Sequence, residues 1–166
     1  MTDTSIEIER KFLVKTLPDL SQARKAHILQ GYLTDTTDSI EFRLRKKDHN
    51  YFITVKSGSG MVRVEREISI DQSQFETLWP ETEGKRIEKN RWTGLLDSNQ
   101  TYDLDIFEGE LETLMLVEVE FSNIDEADNF QPAEWFGPEV TSHKCYKNKA
   151  LAMNPHGIKD VGQECQ

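Results

Sequence analysis

The chain has 166 residues and a formal net charge of −10 at neutral pH, with 36% hydrophobic and 30% charged residues. This length suits one domain with its own core, and we expect a single domain over 1–166, ordered from about 5 to 153 with a loose tail over 154–166. An acidic chain does not attract nucleic acid non-specifically, and no run of about 18 apolar residues exists to cross a membrane, so we expect neither kind of partner.

Strict alternation of apolar and polar residues in the first half of the chain predicts β-strands. In the first of them, over 5–14, Glu7, Glu9 and Lys11 share one face. The further strands are predicted over 28–34, 39–46, 51–56 and 61–70. A helical turn is predicted within 17–27, and a tight turn at 57–60 joins two of the strands.

The second half of the chain continues the alternation and adds most of the predicted helices. Its strands are predicted over 85–92, 101–107 and 114–121, and its helices over 72–79, 125–130 and 139–153. The first helix has Asp71 as its N-cap and is closed by Pro80. About eight antiparallel strands with short connections predict a mainly β fold, either a closed barrel or a sandwich.

The polar faces of these strands are sorted by the sign of their charge. The acidic pairs are Glu7/Glu9, Glu65/Glu67, Asp103/Asp105 and Glu118/Glu120, and the basic set is Arg43/Arg45, Lys89/Arg91, Lys11 and Lys56. A solvated surface is the ordinary explanation for any one such pair. Six sorted pairs on different strands indicate instead a shared purpose.

If the charged faces point inward, the acidic and basic sets face each other across a lumen that holds one small ligand. Carboxylates bind hard cations such as Mg²⁺ and Mn²⁺, whereas arginine and lysine bind phosphate oxygens. A phosphate chain bridged by metal satisfies both sets, and its hydrolysis needs an in-line water and charge neutralisation. We therefore predict a phosphohydrolase in which Lys11, hydrogen-bonded to Tyr32, acts as a base or orients the water.

Several other features have ordinary explanations. The four histidines lack metal spacing, and no GxxxxGK[ST] loop occurs, which excludes a P-loop nucleotidase. Lys144, Lys147 and Lys149 either reach the substrate from the last helix or lie in solvent, and solvent is favoured. Cys145 and Cys165 lie far apart in sequence, which predicts a reduced, cytoplasmic protein.

The charged segments resemble, in order, the motifs of the CYTH superfamily, also called the triphosphate tunnel metalloenzymes. The segment 7–11, E-I-E-R-K, matches the E-x-E-x-K signature of that family, which is a weak signal alone. The other matching segments are QGYL at 30–33, EFRLR at 41–45, TVK at 54–56, ERE at 65–67, EKNR at 88–91, YDLD at 102–105, VEVE at 117–120 and YKNKAL at 146–151. The ordered set covers nearly the whole chain and makes the resemblance strong.

The resemblance implies an eight-stranded antiparallel closed β-barrel with a few peripheral helices, one of them C-terminal. It implies Lys11 and Tyr32 as a catalytic dyad and Mg²⁺ or Mn²⁺ as cofactor. The implied metal ligands are Glu7, Glu9, Glu118 and Glu120, and the implied phosphate-binding residues are Arg43, Arg45, Lys56, Lys89 and Arg91. The tunnel acids without an assigned role are Glu65, Glu67, Asp103 and Asp105.

The short bacterial branch of the family, which the chain resembles most, points to inorganic tripolyphosphate as the substrate. A class IV adenylyl cyclase and a thiamine triphosphatase stay open as alternatives, although no set of residues that reads a base is visible. A polyphosphate-binding protein without catalysis also stays open, although intact Lys11 argues against it. The sequence leaves a homodimer open as well.

Overall fold

Antiparallel β-sheet dominates the computed structural model, which describes residues 3–58 and 62–158. The strands are β1 (Asp3–Val14), β2 (Arg24–Tyr32), β3 (Ile40–Lys47), β4 (Asn50–Ser57), β5 (Val62–Ile70), β6 (Arg86–Leu95), β7 (Thr101–Phe107), β8 (Met115–Glu120) and β9 (Phe136–Glu139). The α-helices are α1 (Gln72–Leu78), α2 (Ile124–Asn129) and α3 (Asn148–Met153). Short 3₁₀ turns cover Trp79–Thr82, Gly109–Leu111, Lys144–Tyr146 and Pro155–Gly157.

The strand order is β5-β4-β3-β2-β6-β7-β8-β1-β9, and β1 also pairs with β5. Residues 3–8 of β1 pair with β5, whereas residues 9–13 pair with β8. Within the described register no residue of β1 pairs with both. The first half of β1 therefore pairs with β5, at one end of the order, and the second half pairs with β8, so no continuous ladder closes the sheet. The mainly β, antiparallel class is confirmed, and the closed eight-stranded barrel is corrected to a nine-stranded sheet with this interrupted junction.

Local sequence signals explain where α1 begins and where the last predicted helix fails. The carboxylate of Asp71 accepts a hydrogen bond from the backbone N–H of Gln74, whose side chain accepts one in return, so the predicted cap is confirmed. The helix predicted over 139–153 is wrong in its first half, because the backbone N–H of Val140 donates to the carbonyl of Lys11 and holds this stretch beside β1. Only α3 and a 3₁₀ turn are helical there.

Other boundaries also differ from the prediction. Of the helical turn predicted within 17–27, only one hydrogen-bonded turn is present, in which the backbone N–H of Ala23 donates to the carbonyl of Leu20, and it goes no further because β2 begins at Arg24. Residues 155–157 of the predicted loose tail form a 3₁₀ turn, whereas 159–166 and part of the predicted turn at 57–60 lie outside the described residues. Cys145 is disulfide-bonded, which contradicts the expected reduced state.

Two apolar clusters lie around the sheet. The first covers the outer face of β1, β7 and β8, where α2 and the following segment supply Ala127, Phe130 and Phe136. The second joins residues from β2, β6, β7 and β8 to Leu151 and Ala152 of α3. None of the helices in the described part of the chain has the length and apolar character to span a membrane. The apolar core therefore leaves one side of β1 free for charged residues.

Replacing Phe12 with alanine is expected to lower the free energy of unfolding by about 3–5 kcal/mol, because a buried aromatic ring is lost from the outer cluster. The Phe12 ring is 2% exposed, and its centroid lies 5.1 Å from that of Phe136. Urea denaturation followed by fluorescence measures the loss. The control is Leu95→Ala, which removes a side chain that is 67% exposed and is expected to cost no more than about 0.5 kcal/mol. Equal losses would contradict this placement of the core.

Candidate active site

A polar cavity of about 160 Å³ is lined by residues from each of β1 to β8 and by the segment 140–149. Because side chains alternate along a strand, the lining residues come from the charged faces, for example Glu7, Glu9 and Lys11 on β1. The opposite face of β1 places Ile8 and Phe12 in the outer apolar cluster. The predicted division of the strands into a charged and an apolar face is thus present around this cavity.

The cavity wall is balanced in charge. Over residues 3–58 and 62–158, the acidic lining residues are seven in number: Glu7, Glu9, Glu41, Glu65, Asp103, Glu118 and Glu120. The basic lining residues of the same ranges are also seven: Lys11, Arg43, Arg45, Lys56, Arg91, Lys147 and Lys149. A polyanion that enters such a wall meets as many carboxylates as cations, so additional positive charge has to accompany it.

The acidic side of the cavity brings together carboxylates of neighbouring strands. Glu9 of β1 is the register partner of Glu120 of β8. Burial raises the pKa of Glu120, and the charges of Glu9, Asp103 and Glu65 raise it further. This mutual repulsion favours a cation among these oxygens, and the donor set suits a hard divalent metal.

The basic side presents two arginines from β3, of which Arg43 is buried and Arg45 is half-buried. Arg43 donates from Nη2 to Oγ1 of Thr54 at 3.1 Å, and Arg45 donates from Nη2 to Oε2 of Glu67 at 2.8 Å. Burial and then the charge of Arg43 lower the pKa of Arg45 to about 10. In the described part of the chain, the Nε atoms of both arginines are buried without a hydrogen-bond partner. Such donors favour an anionic oxygen ligand.

Lys56 links two carboxylates of different strands. Its Nζ lies 2.8 Å from Oε2 of Glu7 and 2.7 Å from Oε2 of Glu65. Burial raises the pKa of Glu7 to about 7, and the hydrogen bond to Glu65 raises it too, against the effect of Lys56. Burial opposes ionisation of Glu65, but the hydrogen bond from Glu7 and the charges of Lys56 and Arg43 outweigh it and hold its pKa at about 2. Below about pH 7 the proton shared with Glu65 therefore resides on Glu7.

Lys11 and Tyr32, the predicted dyad, both line the cavity. Lys11 Nζ lies 2.8 Å from Oε1 of Glu118 and donates to the carbonyl of Tyr146 at 3.2 Å. The hydroxyl of the fully buried Tyr32 accepts a hydrogen bond of 2.6 Å from the amide of Gln30. Burial opposes ionisation of Glu118, but Lys11 and Arg91 hold its pKa well below the ordinary range. Both members of the dyad are thus fixed in place.

Three of the predicted site residues do not line the cavity, namely Glu67, Lys89 and Asp105. Lys89 is fully buried, with Nζ 2.5 Å from Oδ2 of Asp105, which is itself 1% exposed. Glu67 accepts hydrogen bonds from Arg45 and Thr54. The other predicted metal, phosphate and catalytic residues all line the cavity.

The cavity also contains residues that the sequence predictions missed. These are Gln30, Glu41, Thr101, Val140, Thr141, His143, Tyr146 and Asn148. Gln30 and Glu41 share the two-residue period of Tyr32 and Arg43, and that signal identifies them. Lys147 and Lys149 line the cavity although solvent was favoured, and Lys144 is outside the lining set.

A separate group of metal-type donors was also missed. Donor atoms of His27, Glu88 and Glu108 lie within 4.8 Å of one another. His27 Nε2 already hydrogen-bonds Glu88, and Glu108 accepts from Asn90. Because adjacent strands contribute them, no spacing along the sequence could reveal the group.

Comparison with known proteins gives close relatives along most of the chain. The chain is 56% identical over 148 residues to the inorganic triphosphatase of Nitrosomonas europaea, covering 89% of this chain and 97% of that protein. It is 34% identical over 152 residues to the inorganic triphosphatase of Acetivibrio thermocellus, covering 90% and 95% respectively. A crystal structure of an inorganic triphosphatase, 55% identical, gives a TM-score of 0.71 over 89% of this chain and 94% of that one. No protein-family model matches the chain.

Replacing Glu7 with glutamine is expected to remove a pH dependence of stability in metal-free protein. The pKa of Glu7 is about 7 in the folded protein against an ordinary 4.5, so its stabilising effect is complete below about pH 4.5 and is lost as the pH rises through about 7. Glutamine can keep the hydrogen bond to Glu65 and does not titrate. Relative to the unsubstituted protein, we expect the melting temperature of Glu7→Gln to be higher at about pH 8 than at about pH 5. Both measurements are made in EDTA.

The control for this prediction is Glu65→Gln. Glu65 is the carboxylate that Arg43 and Lys56 pair with, so its substitution is expected to lower the melting temperature at both pH values. If the melting temperature of Glu7→Gln differs from that of the unsubstituted protein by the same amount at both pH values, Glu7 does not hold the proton.

Proposed function

The chain belongs to the inorganic triphosphatase family of the CYTH superfamily, and we propose that it hydrolyses inorganic tripolyphosphate to pyrophosphate and phosphate with the help of Mg²⁺ or Mn²⁺. The cavity lined by residues of β1 to β8 then holds the substrate. The observation that carries the proposal is the balanced wall of seven carboxylates and seven cations. A phosphate chain together with divalent metal complements both halves of such a wall.

The acidic side supports a metal site. Glu9 and Glu120 are adjacent in register, whereas Glu7 and Glu118 lie two residues from that pair on opposite sides of it, because the two strands are antiparallel and Glu118 is the register partner of Lys11. These four carboxylates would hold the metal. When bound, it neutralises charge on the phosphoryl oxygens. Lys11 and Arg91 keep Glu118 ionised, so that residue is ready to bind a cation at neutral pH.

The basic side supports binding of the phosphate chain. The unpaired Nε atoms of Arg43 and Arg45 would donate to phosphate oxygens, which removes the cost of burying them without a partner. Lys56 adds a further cation at the cavity wall. Arg91 stands between the two sides, because it lines the cavity and also binds Asp103 and Glu118.

Lys11 and Tyr32 are proposed to prepare the attacking water. Glu118 and the Tyr146 carbonyl fix the ammonium of Lys11, which can orient a water oxygen toward the terminal phosphorus. The attack forms a new P–O bond as the bond to the leaving pyrophosphate breaks. The Tyr32 hydroxyl, held by Gln30, can orient the same water.

The lining favours an inorganic substrate over the alternatives. Within the described residues, Val140 is the only aliphatic side chain of the cavity wall, and the aromatic rings of the wall are those of Tyr32, His143 and Tyr146, so most of the wall is charged or polar. A nucleobase or a thiamine ring requires apolar or aromatic surface over much of its area. An adenylyl cyclase and a thiamine triphosphatase are therefore not favoured, and the identity of the relatives agrees with this choice.

A substrate panel tests the proposal. Purified protein with Mg²⁺ or Mn²⁺ is incubated in parallel with tripolyphosphate, ATP, thiamine triphosphate and pyrophosphate, and the release of phosphate, pyrophosphate and cyclic AMP is measured. We expect turnover of tripolyphosphate far above the others and its loss in EDTA, because the acidic side of the wall then lacks its cation. Cyclic AMP from ATP would overturn the proposal in favour of a cyclase, and tight binding without turnover would favour a polyphosphate-binding protein.

Glu9→Gln and Lys11→Ala are each expected to lower kcat for tripolyphosphate by about 10²-fold or more, because each removes a charged group from the reacting centre. Circular dichroism and thermal melting establish that the variants fold. The matched control is Glu88→Gln, which removes a carboxylate outside the lining set and is expected to keep kcat. Unchanged kcat in Glu9→Gln or Lys11→Ala would refute these roles for β1.

A further inference from the structure

Three side chains with metal-type donors lie together outside the cavity. His27 of β2, Glu88 of β6 and Glu108, which directly follows β7, each place one donor atom within 4.8 Å of the other two. None of the three lines the cavity of the candidate active site. An imidazole with two carboxylates is a donor set that suits divalent transition metals, and zinc in particular.

Alternation of side chains along the strands explains why this group faces away from the cavity. Gln30 of β2 lines the cavity, and His27 lies an odd number of residues from it. Glu88 likewise lies an odd number of residues from Arg91, the lining residue of β6. His27 and Glu88 therefore point to the opposite face of the sheet, where Glu108 joins them.

Backbone pairing fixes the three positions relative to one another. His27 is the register partner of Asn90, on the strand that also carries Glu88. The backbone N–H of Glu108 donates to the carbonyl of Glu88 at 2.9 Å. The backbone N–H of His27 donates to Oδ1 of Asp48 at 2.9 Å. Donors held by a paired sheet in this way keep their geometry better than donors on free loops.

The two carboxylates of the group repel each other. Like charges directly across two neighbouring strands destabilise a sheet, and among the described residues no lysine or arginine forms an ion pair with Glu88 or Glu108. The imidazole of His27 lies close, with Nε2 2.8 Å from Oε1 of Glu88. A neutral imidazole supplies one hydrogen bond, whereas a divalent cation offsets both negative charges.

The surroundings of the group also suit a metal ion. Nδ2 of Asn90 donates to Oε1 of Glu108, and outer hydrogen bonds of this kind orient the carboxylates that bind metals. Glu88 and Glu108 border a surface groove of about 370 Å³. Water can therefore reach the ion and take the coordination position that three protein ligands leave open.

The distances between the donors are compatible with a tetrahedral ion. Ligand atoms about 2.0–2.2 Å from zinc at tetrahedral angles lie about 3.4 Å from one another. His27 Nε2 and Glu88 Oε1 are slightly closer than this, and the donor atoms of the group are at most 4.8 Å apart. The side chains of His27 and Glu88 are 42% and 46% exposed, so small rotations can adjust them.

We propose that His27, Glu88 and Glu108 bind a divalent transition metal ion such as Zn²⁺, with water as the fourth ligand, at a site separate from the cavity. This site goes beyond the hydrolysis of tripolyphosphate and does not depend on it. The ion links β2, β6 and the end of β7 on the outer face. It stabilises the folded protein, because the unfolded chain does not hold the three donors together.

The experiment titrates Zn²⁺ by calorimetry into protein that has been stripped with EDTA, dialysed and supplied with excess Mg²⁺. The proteins are the unsubstituted chain, His27→Gln, Glu108→Gln and the control His49→Gln, which changes an exposed histidine outside the group. Zinc bound by the carboxylates of the cavity is common to all four proteins. The comparison therefore isolates the proposed site.

We expect the unsubstituted protein and His49→Gln to bind Zn²⁺ equally. His27→Gln and Glu108→Gln are expected to lose one zinc site or to weaken its Kd by at least about tenfold, because loss of an outer hydrogen-bond partner alone costs about 10–100-fold. Zinc is also expected to raise the melting temperature of His49→Gln by more than that of His27→Gln. Equal zinc binding by all four proteins would overturn the inference.

A measurement on the unsubstituted protein covers the case in which a variant does not fold. In ¹⁵N NMR of the histidine rings, Zn²⁺ is expected to shift the Nε2 signal of His27, with no comparable shift at His49. No shift at His27, or an equal shift at His49, would overturn the inference. Because these experiments measure zinc binding and not turnover, their failure would leave the proposed function untouched.

Discussion

The structure depends on one electrostatic constraint, which is that each charged side chain turned inward by the sheet needs an opposite charge within reach. A buried unpaired charge costs several kcal/mol, enough to threaten the stability of a small domain. The sheet meets this constraint by pairing basic strands with acidic ones, as in the pairs of Lys56 with Glu65 and of Arg91 with Asp105. The sorting of charges by strand is what makes such cross-strand pairs available.

Because of this constraint, the apolar core lies away from the charged cavity. Phe12 and Phe136 pack on the outer face, under α2, and Leu151 of α3 packs in the second cluster together with Tyr32. The outer cluster thus supports β1, β7 and β8 from behind, while their other faces carry Glu9, Asp103 and Glu120. The outer faces of these strands therefore pack in the apolar core, and their inner faces carry the charged residues of the cavity.

The sequence predicted the strands and most of the cavity wall because alternation with a period of two is a strong signal over seven or more residues. It missed β9, which has four residues and contains Pro138, too few to show a period. It also did not show that Arg91 lines the cavity whereas Lys89 does not, because alternation assigns a residue to a face of the strand and not to a position relative to the cavity. That position is set by contacts distant in sequence, such as that of Asn148 with Lys89.

The balanced wall has a consequence for how ligands bind. Tripolyphosphate alone adds negative charge beside seven carboxylates, and a divalent cation alone adds positive charge beside seven cations. Each ligand relieves the repulsion that the other meets, so their binding free energies are coupled, and the coupling is reciprocal by thermodynamic necessity.

Glu120 illustrates the acidic half of this argument, since its pKa is raised by burial and by three neighbouring carboxylates. Half-buried Arg45, whose pKa is lowered by desolvation and by the charge of Arg43, illustrates the basic half. A wall with an excess of cations would bind the anion without metal, whereas here a divalent cation on the acidic half is expected to tighten the binding of tripolyphosphate.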